Sequence, residues 1–583
     1  MAVLEMCSST EHHETTTTSS WTALPIEIRD TILGYVTSEK YTGWSTLAYV
    51  SRDWQAHIEK INFRSIRLRQ QCLDCFARIC SAPRIPRLIR HIHLIVELRR
   101  YSAEHAEWLD AVPTFAPSRI VDVSVKELLK ILSSWEKSGD LTLELHAYSP
   151  SDEENWFRPL LLNSEPEDIE DSQGPVHCDN YDSDSDDEYA YEEEDAHEDD
   201  NHEEESNETR SERNPEASGS TDPSVQQYYW EVFSPIQPFA ATPRDTINKI
   251  YRPIILENGE HQPIIRVSAV TRLVILRQLR RTLMPRSLKF LMESFGQNLE
   301  HIEYEPWASF ESDAQRQARA EELASTLYHP CLDKLKSLTL FEEAQHLYKF
   351  RYGRNSTEYI DKDATALLTP YAVDYRTGLA ASLARRSLAL EHLSASFMVC
   401  AESFFAKCLP EWTWPKLRTL SLTAQLLGPL GEEAMRDHSD DDDEHRRMVL
   451  DWHLRRVAEV ARRMPKLETL VLWTGGELHA CAFVYQRCCA KERHARLTWR
   501  GTEWSELAGS VVRAWQKTAQ VHAGDIVLGD IVVCHERVSA ELVGSHADAI
   551  YHLALPCQVV NPVSLWQMQK EATPYYDVSG TWL

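Results

Sequence analysis

A six-residue pattern, apolar-x-x-apolar-x-apolar, recurs along the second half of the chain and constrains its fold more than any other feature. It occurs as VTRLVI from Val270, LEHIEY from Leu299, LKSLTL from Leu335, LEHLSA from Leu390, LRTLSL from Leu417 and LETLVL from Leu467. A degenerate copy, HARLTW, begins at His494. The starts are separated by 29, 36, 55, 27, 50 and 27 residues, and several copies follow a Pro or a Lys, as in WPKLRTL and MPKLETL. The last three positions alternate as a strand does, with one side inward. Helix-period stretches such as SLKFLMESF and HLRRVAEVARRM lie between copies. One strand plus one helix cannot bury its apolar face alone, so such units must stack on one another.

The predicted fold class is therefore α/β: an irregular leucine-rich-repeat-like solenoid, whose period wanders and which lacks the usual Asn after the strand. RHIHLIVEL (90–98) and GDLTLEL (139–145) read as two earlier strands of the same array. The competing reading is a general α/β layer fold whose strands happen to begin with Leu. In a horseshoe, alternate strand positions face the concave side. They include His301, Glu303 and Glu305; Ser337, Thr339 and Phe341; Thr419, Ser421 and Thr423; Thr469, Val471 and Trp473; and Arg496, Thr498 and Arg500. Phe341, Trp473, Arg496 and Arg500 are the expected anchors for a protein partner, since large aromatics and Arg dominate such contacts.

The net charge of −29 is not spread evenly. From Glu165 to Glu208 there are 22 acidic residues and no Lys or Arg, which leaves −7 for everything else. Residues 164–222 cannot bury enough apolar surface to offset ordering and are expected to be a disordered insert. Residues 1–20 are expected to be a disordered N-terminus. DHSDDDDEH (437–445) is expected to be a second acidic loop. Domains are then 21–66, a first part of the repeat-like region over 67–163, and its main part over 223–583. The acidic balance argues against nucleic acid as the partner. No apolar run reaches the roughly 18 residues of a membrane span. MAVLEMCSSTEHHE has no basic and apolar leader pattern, and thirteen scattered cysteines suit a reducing compartment. The cytoplasm or nucleus is the expected setting.

Residues 21–66 carry more apolar side chains than one small core needs. Pro25 fits a first helical turn, where its missing N–H is no loss. Leu24, Ile28, Ile32 and Val36 recur every four residues, while Ile26 and Leu33 lie on another side. Such width points to a helix that buries one face and offers another. GWSTLAYV gives a short helical segment containing Trp44, Leu47 and Val50. Ser51 can cap RDWQAHIEKI, whose stripe is Trp54, Ile58 and Ile61. NFRSIRL then begins a strand-like segment. Three short helices over about 45 residues make a marginal core, so the excess points to a docking module.

In order, LPIEIRDTIL, LAYVSRDWQ and INFRSIRL resemble an F-box. LTLELHAYSPSDEENWF, MPKLETLVLW and HLALPCQVVNPVSLWQMQKE resemble segments of filamentous-fungal F-box proteins with an uncharacterised C-terminal region. The resemblance implies a non-catalytic substrate-recognition subunit of an SCF-type (cullin–RING) ubiquitin ligase. Its partners would be the adaptor subunit, cullin through that adaptor, and a protein substrate. By motif position it implies adaptor-binding or supporting roles for Leu24, Pro25, Ile28, Ile32, Leu33, Val36, Leu47, Val50, Ser51 and Trp54. The alternative is an interaction scaffold whose degenerate F-box packs on its own repeats; residues 24–36 would then be sealed.

Other chemistry finds little support. Cys72, Cys75 and Cys80 lie ahead of His91 and His93 with zinc-compatible spacing, but the cysteines also form one helical face, and core is the better reading. Cys488 and Cys489 near His494 read as core too. His177, Cys178, His197 and His202 fall in the acidic insert. GxSxG, GxxxxGK[ST], GxGxxG and HExxH are absent from the sequence. No cofactor or metal is expected. An enzyme on an α/β scaffold would need a deep pocket with convergent polar groups.

Overall fold

A computed structural model describes residues 21, 24–38, 44–100, 116–136, 139–154, 253–256, 263–307, 313–342, 377–428, 440–476, 478–487, 494–503, 506–524 and 529–572. Among these, the chain is mixed α/β, with thirteen helices and one sheet of twelve strands. The expected inserts at 1–20 and 164–222 lie outside the described residues, as do Cys488 and Cys489.

The strands are β1 (Ser65–Arg69), β2 (His91–Glu97), β3 (Leu141–Tyr148), β4 (Val270–Ile275), β5 (His301–Tyr304), β6 (Ser337–Phe341), β7 (His392–Cys400), β8 (Thr419–Thr423), β9 (Thr469–Gly476), β10 (His479–Gln486), β11 (Arg496–Gly501) and β12 (Val532–Arg537). They lie in the sheet in chain order. Neighbours are parallel except around β10, which is antiparallel to β9 and to β11. β3 pairs with β4, so the segments on either side of the long acidic stretch build one continuous sheet. β1 pairs with β2, so the boundary expected at residue 66 falls inside the first strand.

The helices are α1 (Ile26–Ser38), α2 (Arg52–Asn62), α3 (Leu73–Cys80), α4 (Ala116–Ser133), the single turn α5 (Ser151–Glu154), α6 (Pro285–Phe295), α7 (Asp313–Leu327), α8 (Thr377–Arg386), α9 (Ala401–Ala406), α10 (Asp440–Ala461), α11 (Gly509–Ala523), α12 (His546–Leu553) and α13 (Pro562–Ala572). The acidic run expected as a loop at 437–445 instead opens α10 from Asp440. Acidic residues suit a helix start, where the backbone dipole is positive.

Each sequence repeat becomes a buried ladder. Ile302, Leu338, Leu393, Leu420 and Leu470 stand in register across β5–β9, each at most 1% exposed. Helices α3, α4 and α6–α11 cover this face, and one apolar cluster runs through them all. The second residue of each copy is shared by a backbone ladder: the amides of Lys336, Glu391, Arg418 and Glu468 each donate to the carbonyl of the residue one repeat earlier. Their side chains alternate in sign, with Lys336 paired to Glu300 at 2.5 Å and Arg418 to Glu468 at 2.5 Å. Each exposed pair adds only about 0–1 kcal/mol, so the ladder favours register more than stability.

Cys80 is core beside Leu73 and Phe76, and burial pushes its thiol up to about 12. His91 and His93 alternate with the buried Ile92 and Leu94, so they project from the opposite face of the sheet from α3. The two halves of the zinc-like spacing are thus on different sides.

Candidate functional site

Residues 24–38 and 44–62 contain the three short helical pieces expected. Pro25 precedes α1, and its carbonyl accepts from the amides of Ile28 and Arg29, both at 3.1 Å. Ser51 has an extended backbone and caps α2, accepting from the Trp54 amide at 3.4 Å. Leu33, Trp44 and Ile58 form the small interior. Asp53 receives Arg29 and, at 3.3 Å, the Trp21 indole, which locks α1 against α2. Arg84 grips Glu59 with both guanidinium nitrogens, at 2.5 and 2.9 Å, and ties α2 to the connector before β2.

That interior leaves a broad apolar surface outside. Ile26 is 60% exposed, Ile28 48%, Tyr35 77%, Val36 36%, Tyr49 93% and Val50 61%. Pro25 and Ser51 are exposed as well, and Leu24, Ile32, Leu47 and Trp54 are half-buried. Leu33 is the exception among the residues expected to meet a partner: at 2% exposed it faces inward and can only support. Tyr35 and Tyr49 were not expected to join this surface. Aromatics at positions the three-helix core cannot use were the signal.

The second face of the sheet differs from expectation. The alternate positions do align in register, with Thr339, Ser394 and Ser421 side by side and Thr423 beside Trp473. Yet Phe341 and Trp473, expected as exposed anchors, are completely buried. The chain's own C-terminal segment lies over them. Ala547, Ala549, Ile550, Leu553 and Met568 from α12 and α13 pack with Phe341, Val471 and Trp473 in a second apolar cluster. Phe397 has left-handed backbone (φ 59°) where the register of β7 shifts, and its ring lies 5.6 Å from Phe341 and 5.3 Å from Trp473. Arg500 is occupied too: it binds Glu536 and donates to the Leu553 carbonyl at 2.6 Å. Arg496 stays exposed.

Polar contacts fasten the same segment. Buried Glu305 accepts from the Asn561 amide at 2.7 Å, the Ser564 hydroxyl at 2.5 Å and the Arg277 amide at 3.2 Å. Burial nevertheless pushes its carboxyl up to about 7, with Glu303 adding to the rise. Toward the start of the sheet, His91 meets Glu144 at 2.8 Å and His93 lies 3.7 Å from it. Burial alone would raise Glu144, but the His91 hydrogen bond and the neighbouring imidazoles hold it below the ordinary range. His146 is 5% exposed and neither ring nitrogen has a hydrogen-bond partner among the described residues. Burial, then His93, drives it down to about 3.

These two groups oppose each other in pH dependence. His146 binds its proton only when unfolded, so its contribution is full above about pH 6.5 and declines toward pH 3. Glu305 holds a proton in the fold, so its contribution is full below about pH 4.5 and is lost as pH rises through 7. Relative to the parent, unfolding free energy measured with urea from pH 5 to 6.5 should therefore fall more steeply as pH rises in His146→Phe and fall more steeply with acid in Glu305→Gln, by up to about 1.4 kcal/mol per pH unit in each. Parallel curves for both variants would contradict these assignments.

One cavity, about 40 Å³, lies between Thr282, Tyr304, Arg319 and Met398; it has room for about three waters. Among the described residues no group of three or more His, Cys, Asp or Glu is placed to hold a metal, and no helix is long and apolar enough to cross a membrane. Residues 329–561 match a family described as a family of unknown function (DUF6546). The match spans β6 to α12, the region where the C-terminal segment folds back onto the sheet. No curated protein matches the chain.

Proposed function

We propose that the chain is a substrate-recognition subunit of an SCF-type ubiquitin ligase, with residues 21–66 as its F-box and the twelve-stranded domain as an irregular leucine-rich-repeat-like solenoid that holds a protein substrate. It is non-catalytic, and it works by bringing adaptor and substrate together. The observation that supports the reading is the exposure, among the described residues, of the apolar side chains of Ile26, Ile28, Val36, Tyr49 and Val50. Exposed apolar side chains beside a satisfied small core favour a partner helix over a module that merely packs on its own domain.

The test is binding of the recombinant chain to a recombinant adaptor–cullin pair. Central apolar contacts contribute about 2 kcal/mol or more each, roughly 30-fold in affinity. Ile28→Asp combined with Val36→Asp should abolish capture at micromolar protein while leaving the thermal midpoint unchanged, because both side chains already face water. Failure of the wild-type chain to bind, or equal binding by the variant, would overturn the reading.

A further inference from the structure

Residues 52–100 carry eleven Lys or Arg against four Asp or Glu, a net +7 in a chain of −29, which leaves −36 for the rest. The fold gathers these charges at the β1 end of the sheet. The Arg64 carbonyl accepts from the amides of Arg90 and His91 at 2.9 and 3.0 Å, which sets Arg64 beside Arg90. At the other end of the strand, Arg69 pairs with Ile95, and the Gln70 side chain bonds both the carbonyl and the amide of Glu97, at 2.8 and 2.9 Å, which holds the end of β1 against the segment that leads to Arg99. Arg64, Arg69, Arg87 and Arg99 are exposed, and none has an ion-pair partner among the described residues. The C-terminal segment that covers Phe341 and Trp473 contacts β5, β6 and β9–β11, and among the described residues it does not reach this end of the sheet.

We propose that the β1 end of the sheet binds an acidic, Asp/Glu-rich segment of the protein substrate. This rests on the reading of the sheet domain as the substrate holder. Arg64, just before β1, and Arg69, at its end, are five residues apart, about 17 Å at strand rise, which suits one extended peptide of five or six residues lying along the edge of the sheet. Charge complementarity fixes the sign of the partner. The short span and the strongly negative remainder of the chain disfavour a long polyanion, which would run beyond the basic patch into repulsion. Glu144 adds no free acid to the patch, since His91 and His93 already engage it.

Fluorescence anisotropy would test this with the full chain bound to the adaptor and a labelled twelve-residue Glu/Asp peptide. Binding should weaken at least tenfold in the double variant Arg64→Glu/Arg69→Glu, and also between 50 and 300 mM salt, as screening shortens the reach of exposed charge. Adaptor capture by the double variant, scored in the same samples, should match that of the wild-type chain; capture lost with peptide binding would overturn the proposal by assigning these arginines to the adaptor, whereas failure of the wild-type chain to capture adaptor would indict the ligase reading instead. Three other results would overturn the proposal: no peptide binding, peptide binding indifferent to the double variant, or tighter binding of a single-stranded oligonucleotide of equal charge. A mass doubling that the double variant abolishes would also overturn it, by assigning the patch to a second copy of the chain.

Discussion

Asp152→Ala is expected to lower the unfolding free energy by about 3–5 kcal/mol, the usual loss when one partner of a buried ion pair is removed. The Asp152 side chain is 2% exposed and that of Arg281 5%. Both guanidinium nitrogens of Arg281 donate to it at 2.7 Å, and the Ser149 amide donates at 2.8 Å. Alanine leaves a guanidinium buried without its counterion, together with an orphaned amide. The pair also joins residues 129 apart, one before and one after the long acidic stretch, so the damage should reach the whole sheet. Urea unfolding should show a lower midpoint with an unchanged slope. Asp152→Ala/Arg281→Met should recover much of the loss, because an apolar pair needs no counterion. A single-variant loss below about 1 kcal/mol would mean that the pair is hydrated rather than interior.

The strand positions were legible because parallel stacking asks the same thing of every copy. Leu at the first, fourth and sixth positions fills one continuous core, so the pattern survives even where Ala395 replaces the last Leu. β10 was invisible for the converse reason. HACAFVYQ is buried on both faces, with Cys481, Phe483 and Tyr485 in one cluster and Ala480, Ala482 and Val484 in the other, so no alternation betrays it. The apolar surface of α1 was legible as an excess over what Leu33, Trp44 and Ile58 can cover. The covering of the second sheet face was not read, although the signal was present. Phe341, Val471 and Trp473 are apolar at positions that a solvated face would fill with polar residues, and that excess required a lid from somewhere in the chain.

Trp473→Ala measures how firmly that lid belongs to the fold. Were Trp473 a free anchor on an open face, its truncation would change stability by no more than about 0.5 kcal/mol. Fully buried against Phe397 and the α12 cluster, it should cost about 3–5 kcal/mol, as large aromatic truncations in cores do. Its indole N–H has no acceptor among the described residues, so removal also relieves an unpaired donor, which offsets roughly 1 kcal/mol and leaves a net loss of about 2–4 kcal/mol. The lesion falls on the interface between sheet and C-terminal segment and spares the leucine ladder on the other side. The expected pattern is therefore local opening before global unfolding: faster proteolysis between residues 538 and 560 under native conditions, with far-UV circular dichroism nearly unchanged. Glu305→Gln provides the polar counterpart, since it weakens the hold on Asn561 and Ser564 without making a cavity. If proteolysis of that segment is no faster in Trp473→Ala than in the parent, the segment does not depend on this face for its place, and the second apolar cluster is not what holds it.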